Sequence, residues 1–280
     1  TSNPATGLIY FIDVTHGYVN NIKITGLENI NGIVMEARTK QCSYVVNGCR
    51  LSYKNESYRT SHHVAIRIKS KLVFGNGTSN THDSVKSGVA PYSDMYAYIR
   101  DSYVLRNTVD GGYYGVDMSG TWNCQVAYNK VMNNERGMSF QDSCSEIRVE
   151  YNEIENNRSA GIHFAYGSHN CVAQYNVVHG SSSNGEALMQ AYVWTKDNLF
   201  RRNALSSTNT PTYAFQGSVG GTLSIEDCTA DMEGGVSRAL IADEQSWDPS
   251  LKQVWHSRMN AESTNEGLEI SNHIRNIRNT

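Results

Sequence analysis

Apolar and polar residues alternate along this chain in short runs. Val116 and Met118 flank Asp117, Met138 and Phe140 flank Ser139, and Ile162 and Phe164 flank His163. A period of two sends successive side chains to opposite faces of a strand. Gly, Asn and Ser separate the runs, so short strands joined by tight turns are predicted. The runs also recur. Asn107, Asn129, Asn152, Asn176 and Asn203 are spaced by 22, 23, 24 and 27 residues, and the middle three follow Tyr128, Tyr151 and Tyr175. A Gly-led phrase beginning at Gly115, Gly137 and Gly161 precedes each of these by about 14 residues. Two markers in step, built on strand-like runs, indicate units that stack on one another.

Helical repeats would need apolar residues at helical spacing, and a leucine-rich repeat would need Leu at most framework positions. Neither is present. The pattern predicts an all-β fold, a right-handed single-stranded parallel β-helix with three short strands and 22–27 residues per coil. A corner residue tolerating positive φ suits Asn, whose amide can also bond the Asn of the next coil, so an internal Asn ladder is expected. Tyr128, Tyr151 and Tyr175 are expected to stack inside the rod. Thr25, Asn47 and Lys69, 22 apart, extend the repeat toward the N-terminus. Residues 75–94 break the phase and are too long for a turn; this inserted loop, with His82 and Asp83, is a candidate lid. The β-helix is assigned to residues 1–246. A C-terminal cap or association segment takes 247–280, with a short capping helix from Asp248 at the N-cap through Pro249, Leu251, Val254, Trp255 and Arg258.

Net charge is −3, from 24 basic and 27 acidic residues, which argues against nucleic acid or an anionic membrane as partner. Only 18% of residues are charged while Tyr numbers 17, a surface suited to neutral hydrogen-bonding ligands such as sugars. Six Cys occur without metal-ligand spacing. Cys124 and Cys171 fall at equivalent positions two coils apart, too distant for a bridge, so free buried thiols are expected, as in a reducing compartment. No signal peptide precedes Thr1 and no apolar run reaches membrane-spanning length. The chain opens on strand-like residues without a solenoid cap, and a fragment is expected.

Alternation also places candidate chemistry. If the apolar pairs point inward, one outward column reads Asp117, Ser139, His163, Leu188, Ala214 and a second reads Ser119, Gln141, Ala165, Gln190, Gln216. Asp117 and His163 would then lie about 10 Å apart on one surface. Glycoside hydrolysis needs two carboxylates flanking the bond; Asp117 and Asp142 are the nearest pair, with Glu135, Glu186 and Asp94 at neighbouring corners. A lyase would instead need a base, His163 or a Tyr, with a cation at the uronic carboxyl. Asp117, Asp142 and His163 are the catalytic candidates; Gln141, Tyr166, Gln190, Trp122 and Trp194 are the candidate sugar contacts. No metal or other cofactor is expected.

The phrase YN-x-[IV]-x-N-N, at Tyr128 to Asn134 and again at Tyr151 to Asn157, resembles the repeat of the pectate-lyase-like β-helix superfamily, over residues 8–235. That superfamily includes polysaccharide lyases, glycosyl hydrolases, sugar epimerases and bacteriophage tailspikes. The Asp-Pro-His motif of mannuronan epimerases is absent, as is the Asp triad of polygalacturonases. Within the superfamily, the chain looks more like a bacteriophage tailspike or appendage depolymerase than a secreted lyase. That resemblance implies a homotrimer, on a virion or extracellular, that binds and cleaves a bacterial surface polysaccharide in the manner of a glycoside hydrolase. A polysaccharide lyase of the same fold and a non-catalytic glycan-binding adhesin are the alternatives.

Overall fold

A computed structural model describes residues 7–54, 62–70, 99–180, 187–192, 195–207, 213–218, 222–232, 240–243 and 254–261. Every strand pairing is parallel, and the chain winds as a three-faced rod. The first face stacks nine strands: Gly7–Ile12, Asn31–Ala37, Val64–Ser70, Tyr114–Ser119, Arg136–Gln141, Ile162–Ala165, Ala187–Tyr192, Tyr213–Ser218 and Leu240–Asp243. The second and third faces alternate along the chain, as in Gln125–Ala127 followed by Lys130–Met132. They merge only at Thr222–Met232, whose first half pairs with Asn198–Arg201 and second half with Ala204–Ser207.

The core is a set of inward columns, one residue per coil. Met118, Phe140 and Phe164 point inward from the first face; Val126, Val149 and Phe200 from the second; Val131, Ile154 and Val178 from the third. Phe140, Phe164, Phe200 and Phe215 run as a chain of rings 5.4, 5.6 and 6.1 Å apart. A single coil buries none of this; only the stack removes it from water, at roughly 1.5–3 kcal/mol per large side chain. The recurring Gly marks where the first face meets the third. A Cβ on Gly115 would lie 2.4 Å from a Val131 methyl, and one on Gly161 2.5 Å from a Val178 methyl.

The Asn ladder is present. Asn129 Nδ2 donates to Asn152 Oδ1 and to the Val104 carbonyl, while Asn129 Oδ1 accepts from the backbone N–H and Nδ2 of Asn107. Asn152 and Asn176 repeat this, ending at Asn203. Cysteines occupy the next positions at both ends: the Cys49 N–H bonds Asn107 Oδ1, and Asn203 donates to Cys228 Sγ. All six cysteines are free and buried, as expected.

Four expectations are corrected. Positive φ belongs to the residue before each ladder Asn, at Arg106, Tyr128, Tyr151, Tyr175 and Arg202 (φ 51–60°). Turning there aims the Asn inward and throws the preceding side chain out. The tyrosines therefore stack outside the rod: Tyr128 and Tyr151 are 52% and 47% exposed, with rings 5.2 and 5.0 Å apart along the stack to Tyr175. The left-handed backbone costs roughly 1–2 kcal/mol per residue, which the ladder bonds and ring contacts offset. Thr25, Asn47 and Lys69 share no column, because they lie in Lys23–Leu27, Ser43–Asn47 and Val64–Ser70 on three different faces. Finally, Val254–Ala261 is a strand paired with Thr222–Met232, so the capping helix does not extend over Val254, Trp255 and Arg258. Asp248, Pro249, Leu251 and the 75–94 loop lie outside the described residues.

Candidate functional site

Outward residues of the first face form two columns. The first runs Arg67, Asp117, Ser139, His163, Gln190, Gln216. The second includes Lys69, Ser119 and Gln141, then Ala165 and Tyr192. The expected pairing of His163 with Leu188 is thus off by two residues. The coil from His163 to Gln190 takes 27 residues, the same as Asn176 to Asn203, and Leu188 occupies the recurring Gly position opposite Gly161.

Asp117 is 2% exposed and both of its oxygens are occupied. Arg67 Nε donates to Oδ2 at 2.9 Å and Gln141 Nε2 to Oδ1 at 2.8 Å, so the carboxyl group is held between neighbouring coils. Asp142 turns out of its strand at φ 54° and accepts from Ser119 Oγ at 2.7 Å. Burial pushes its carboxyl above the usual range and the Asp117 charge adds to this; Ser119 and Lys69 oppose it.

His163 is 1% exposed, with Nδ1 3.4 Å from Ser139 Oγ. Its Nε2 has no hydrogen-bond partner among the described residues. Burial drives the imidazole pKa well below 6.5 and the Arg136 charge adds to the effect, so the ring is neutral at pH 7. Arg136 itself bonds Ser159 Oγ at 3.3 Å. The Tyr192 ring lies 6.0 Å from His163, and Tyr166 stands edge-on to Tyr192 at 6.3 Å. Burial raises the Tyr166 and Tyr114 phenols, keeping both protonated. Gln190 is 3% exposed; its Nε2 donates to Gln216 Oε1 while its own Oε1 has no partner among the described residues.

Residues 9–205 match the family described as right handed beta helix region. The chain belongs to the right-handed β-helix family. Its fold is similar to crystal structures of the periplasmic alginate epimerase AlgG: one mutant aligns at a TM-score of 0.63 and 12% identity, covering 97% of this chain and 70% of that one. A second mutant gives 0.61 and 10%, covering 96% and 70%. The enzymatically active domain of a bacteriophage CBA120 tailspike aligns at only 0.34 and 8%, covering 90% of this chain and 43% of that one. No curated protein sequence matches the chain. The likeness to the epimerase is one of fold.

In this β-helix protein the first face places Asp117, Gln141, His163 and Gln190 on neighbouring rungs, with Asp142 and Tyr166 just past the ends of their strands; Asp117, His163 and Gln190 are buried. Trp122 sits on the adjoining corner with the Arg100 guanidinium 4.4 Å over its ring, which occupies one face. Glu135 is drawn to Arg158 at 3.6 Å. Trp194, Glu186, Asp94, His82 and Asp83 lie outside the described residues. Among the described residues no cluster of three His, Cys, Asp or Glu could hold a metal ion, and no helix is long and apolar enough to cross a membrane.

Three cations went unrecognised in the sequence: Arg67, Lys69 and Arg136. The alternation Ile66-Arg67-Ile68-Lys69 marks the first two as outward-facing. Their register with Asp117 is hidden because 50 residues separate Arg67 from Asp117. Arg136 stands directly before the recurring Gly137, at the strand position matched by Tyr114 one coil earlier. The strip therefore combines fixed positive charge, a neutral imidazole with a vacant nitrogen and protonated phenols. That set can bind an anionic, hydroxyl-rich ligand and accept a proton from it.

Proposed function

We propose that this protein binds an extended polysaccharide along its first face and acts on a uronic acid unit by removing the proton α to the carboxyl group. The reading is carried by His163, a buried, neutral imidazole whose Nε2 is unpartnered and whose neighbour is the Arg136 cation. With Nδ1–H turned toward Ser139, Nε2 is the basic nitrogen. Arg136 lies where it lowers the cost of charge developing on the uronic carboxylate, and Lys69 adds positive charge further along the strip, the Arg67 charge being met by Asp117. Tyr166, held protonated by burial, is the donor for the departing glycosidic oxygen. Loss of the C–H proton to Nε2 with cleavage of the adjacent C–O bond, the leaving oxygen taking a proton from Tyr166, gives an unsaturated chain end; if that C–O bond stays intact, return of a proton to the same carbon from the opposite face gives the epimer.

Hydrolysis is the second reading. Asp117, bonded to Arg67, and Asp142, pushed toward its acid form, are the nearest carboxyl pair on the strip. It ranks second because both Asp117 oxygens are already bonded. An extracellular or virion location and a homotrimer belong to the same proposal, as does action on a bacterial surface glycan.

Wild type and His163→Ala, incubated with alginate and polygalacturonate, separate the readings. Proton abstraction by His163 predicts either ultraviolet-absorbing unsaturated ends or, for epimerisation, exchange of the C5 proton with deuterated solvent, with a loss of about 10²–10⁴ in the variant. Products heavier by one water, lost in Asp142→Asn and retained in His163→Ala, would establish the hydrolase instead. Binding with no product from wild type would leave a glycan-binding rod.

A further inference from the structure

The strip holds a second unsatisfied group one coil beyond His163. Gln190 is 97% buried, and its Nε2 donates to Gln216 Oε1. Its Oε1 is left without a donor. Protein interiors pair nearly all such atoms, and the Asn ladder of this rod pairs every amide it contains. His163 and Gln190 are direct register partners, so Nε2 of one and Oε1 of the other belong to adjacent rungs about 4.8 Å apart. The two unpartnered atoms thus belong to neighbouring rungs of one outward column.

We propose that Gln190 is a specificity-determining residue of the site: its Oε1 accepts a hydrogen bond from a ring hydroxyl of the same sugar unit whose acidic C–H faces His163. The inference rests on the function proposed above. A carbonyl oxygen accepts from a hydroxyl and repels a carboxylate, so Gln190 orients the unit with its carboxyl toward Arg136 and its hydroxyl toward Gln216. The selection is steep, because a substrate lacking the hydroxyl leaves the buried oxygen unpaired.

The test uses alginate and polygalacturonate tetrasaccharides and their singly 2-deoxy and 3-deoxy forms, with wild type, Gln190→Met and Gln216→Met. Gln190→Met is expected to lose about 10- to 100-fold in kcat/KM on the parent sugar. One deoxy form should cost wild type the same factor and cost Gln190→Met nothing. Gln216→Met, which releases the amide to rotate, should lose a smaller factor. A folded Gln190→Met that keeps both the parent rate and the discrimination overturns the proposal. Should that variant not fold, wild type that processes both deoxy forms like the parent overturns it as well. Those results leave the enzyme reading intact, whereas wild type that converts no tetrasaccharide removes the function proposed above and this inference with it.

Discussion

Two polar columns climb the same rod, and they are built to opposite ends. At the corner between the second and third faces, the amides from Asn107 to Asn203 are buried and use both donors and the acceptor, coil after coil. On the first face, the column from Arg67 to Gln216 is just as buried at His163 and Gln190 yet leaves Nε2 and Oε1 vacant. The same stacking geometry supplies both. A closed column contributes to holding the coils together, because every group lost from water is repaid by a bond. An open one costs stability, and that cost is what a ligand can recover.

The sharpest way to break the contrast is to open the closed column. Asn152→Leu removes the acceptor for Asn129 and the donor to Asn176, leaving several buried groups unpaired; a loss of about 3–5 kcal/mol in denaturant unfolding is expected. A loss below about 1 kcal/mol would show that the ladder contributes little. A pH series probes the open column next. The His163 pKa in the folded chain lies well below 6.5, so above pH 6.5 neither state binds the proton and stability is unaffected. As pH falls below 6.5 the unfolded chain takes up a proton that the folded one refuses, and stability drops by up to about 1.4 kcal/mol per pH unit until the folded pKa is reached. Unfolding of wild type and His163→Gln at pH 7.5, 6.0 and 5.0 should show the wild type losing more over that range; parallel curves would mean the ring is not held neutral by the fold. The smallest effect belongs to the exposed stack. Tyr151→Ala removes ring contacts to Tyr128 and Tyr175 and should cost about 0.5–1.5 kcal/mol without touching activity.

The rod and its ladder were legible because the recurring Asn and Gly keep step, and a repeat writes its period directly into the chain. What failed was local. The inward ladder was read correctly at Asn129, but the left-handed turn falls to its predecessor Tyr128, whose side chain is thereby thrown out of the rod. Gln190 was placed one column away because Leu188 stands where Gly was expected, although the 27-residue step from Asn176 to Asn203 carries the correct register. Arg67 and Lys69 were missed behind the long insertion that precedes Ile99. The outward placement of Asp117, His163 and Gln141 on the first face followed from alternation alone. Their electrostatic roles did not, since these depend on which coil neighbours which.

The widening step from 22 residues between Asp117 and Ser139 to 27 between His163 and Gln190 leaves the inward side chains of the first face in line. The added length falls between the strands Val177–His179 and Ala187–Tyr192 and outside both. The rim around the polar strip can therefore be rebuilt by inserting or trimming chain between strands, while the load on the scaffold stays constant. A lineage could retool which polymer it grips without ever renegotiating how it folds.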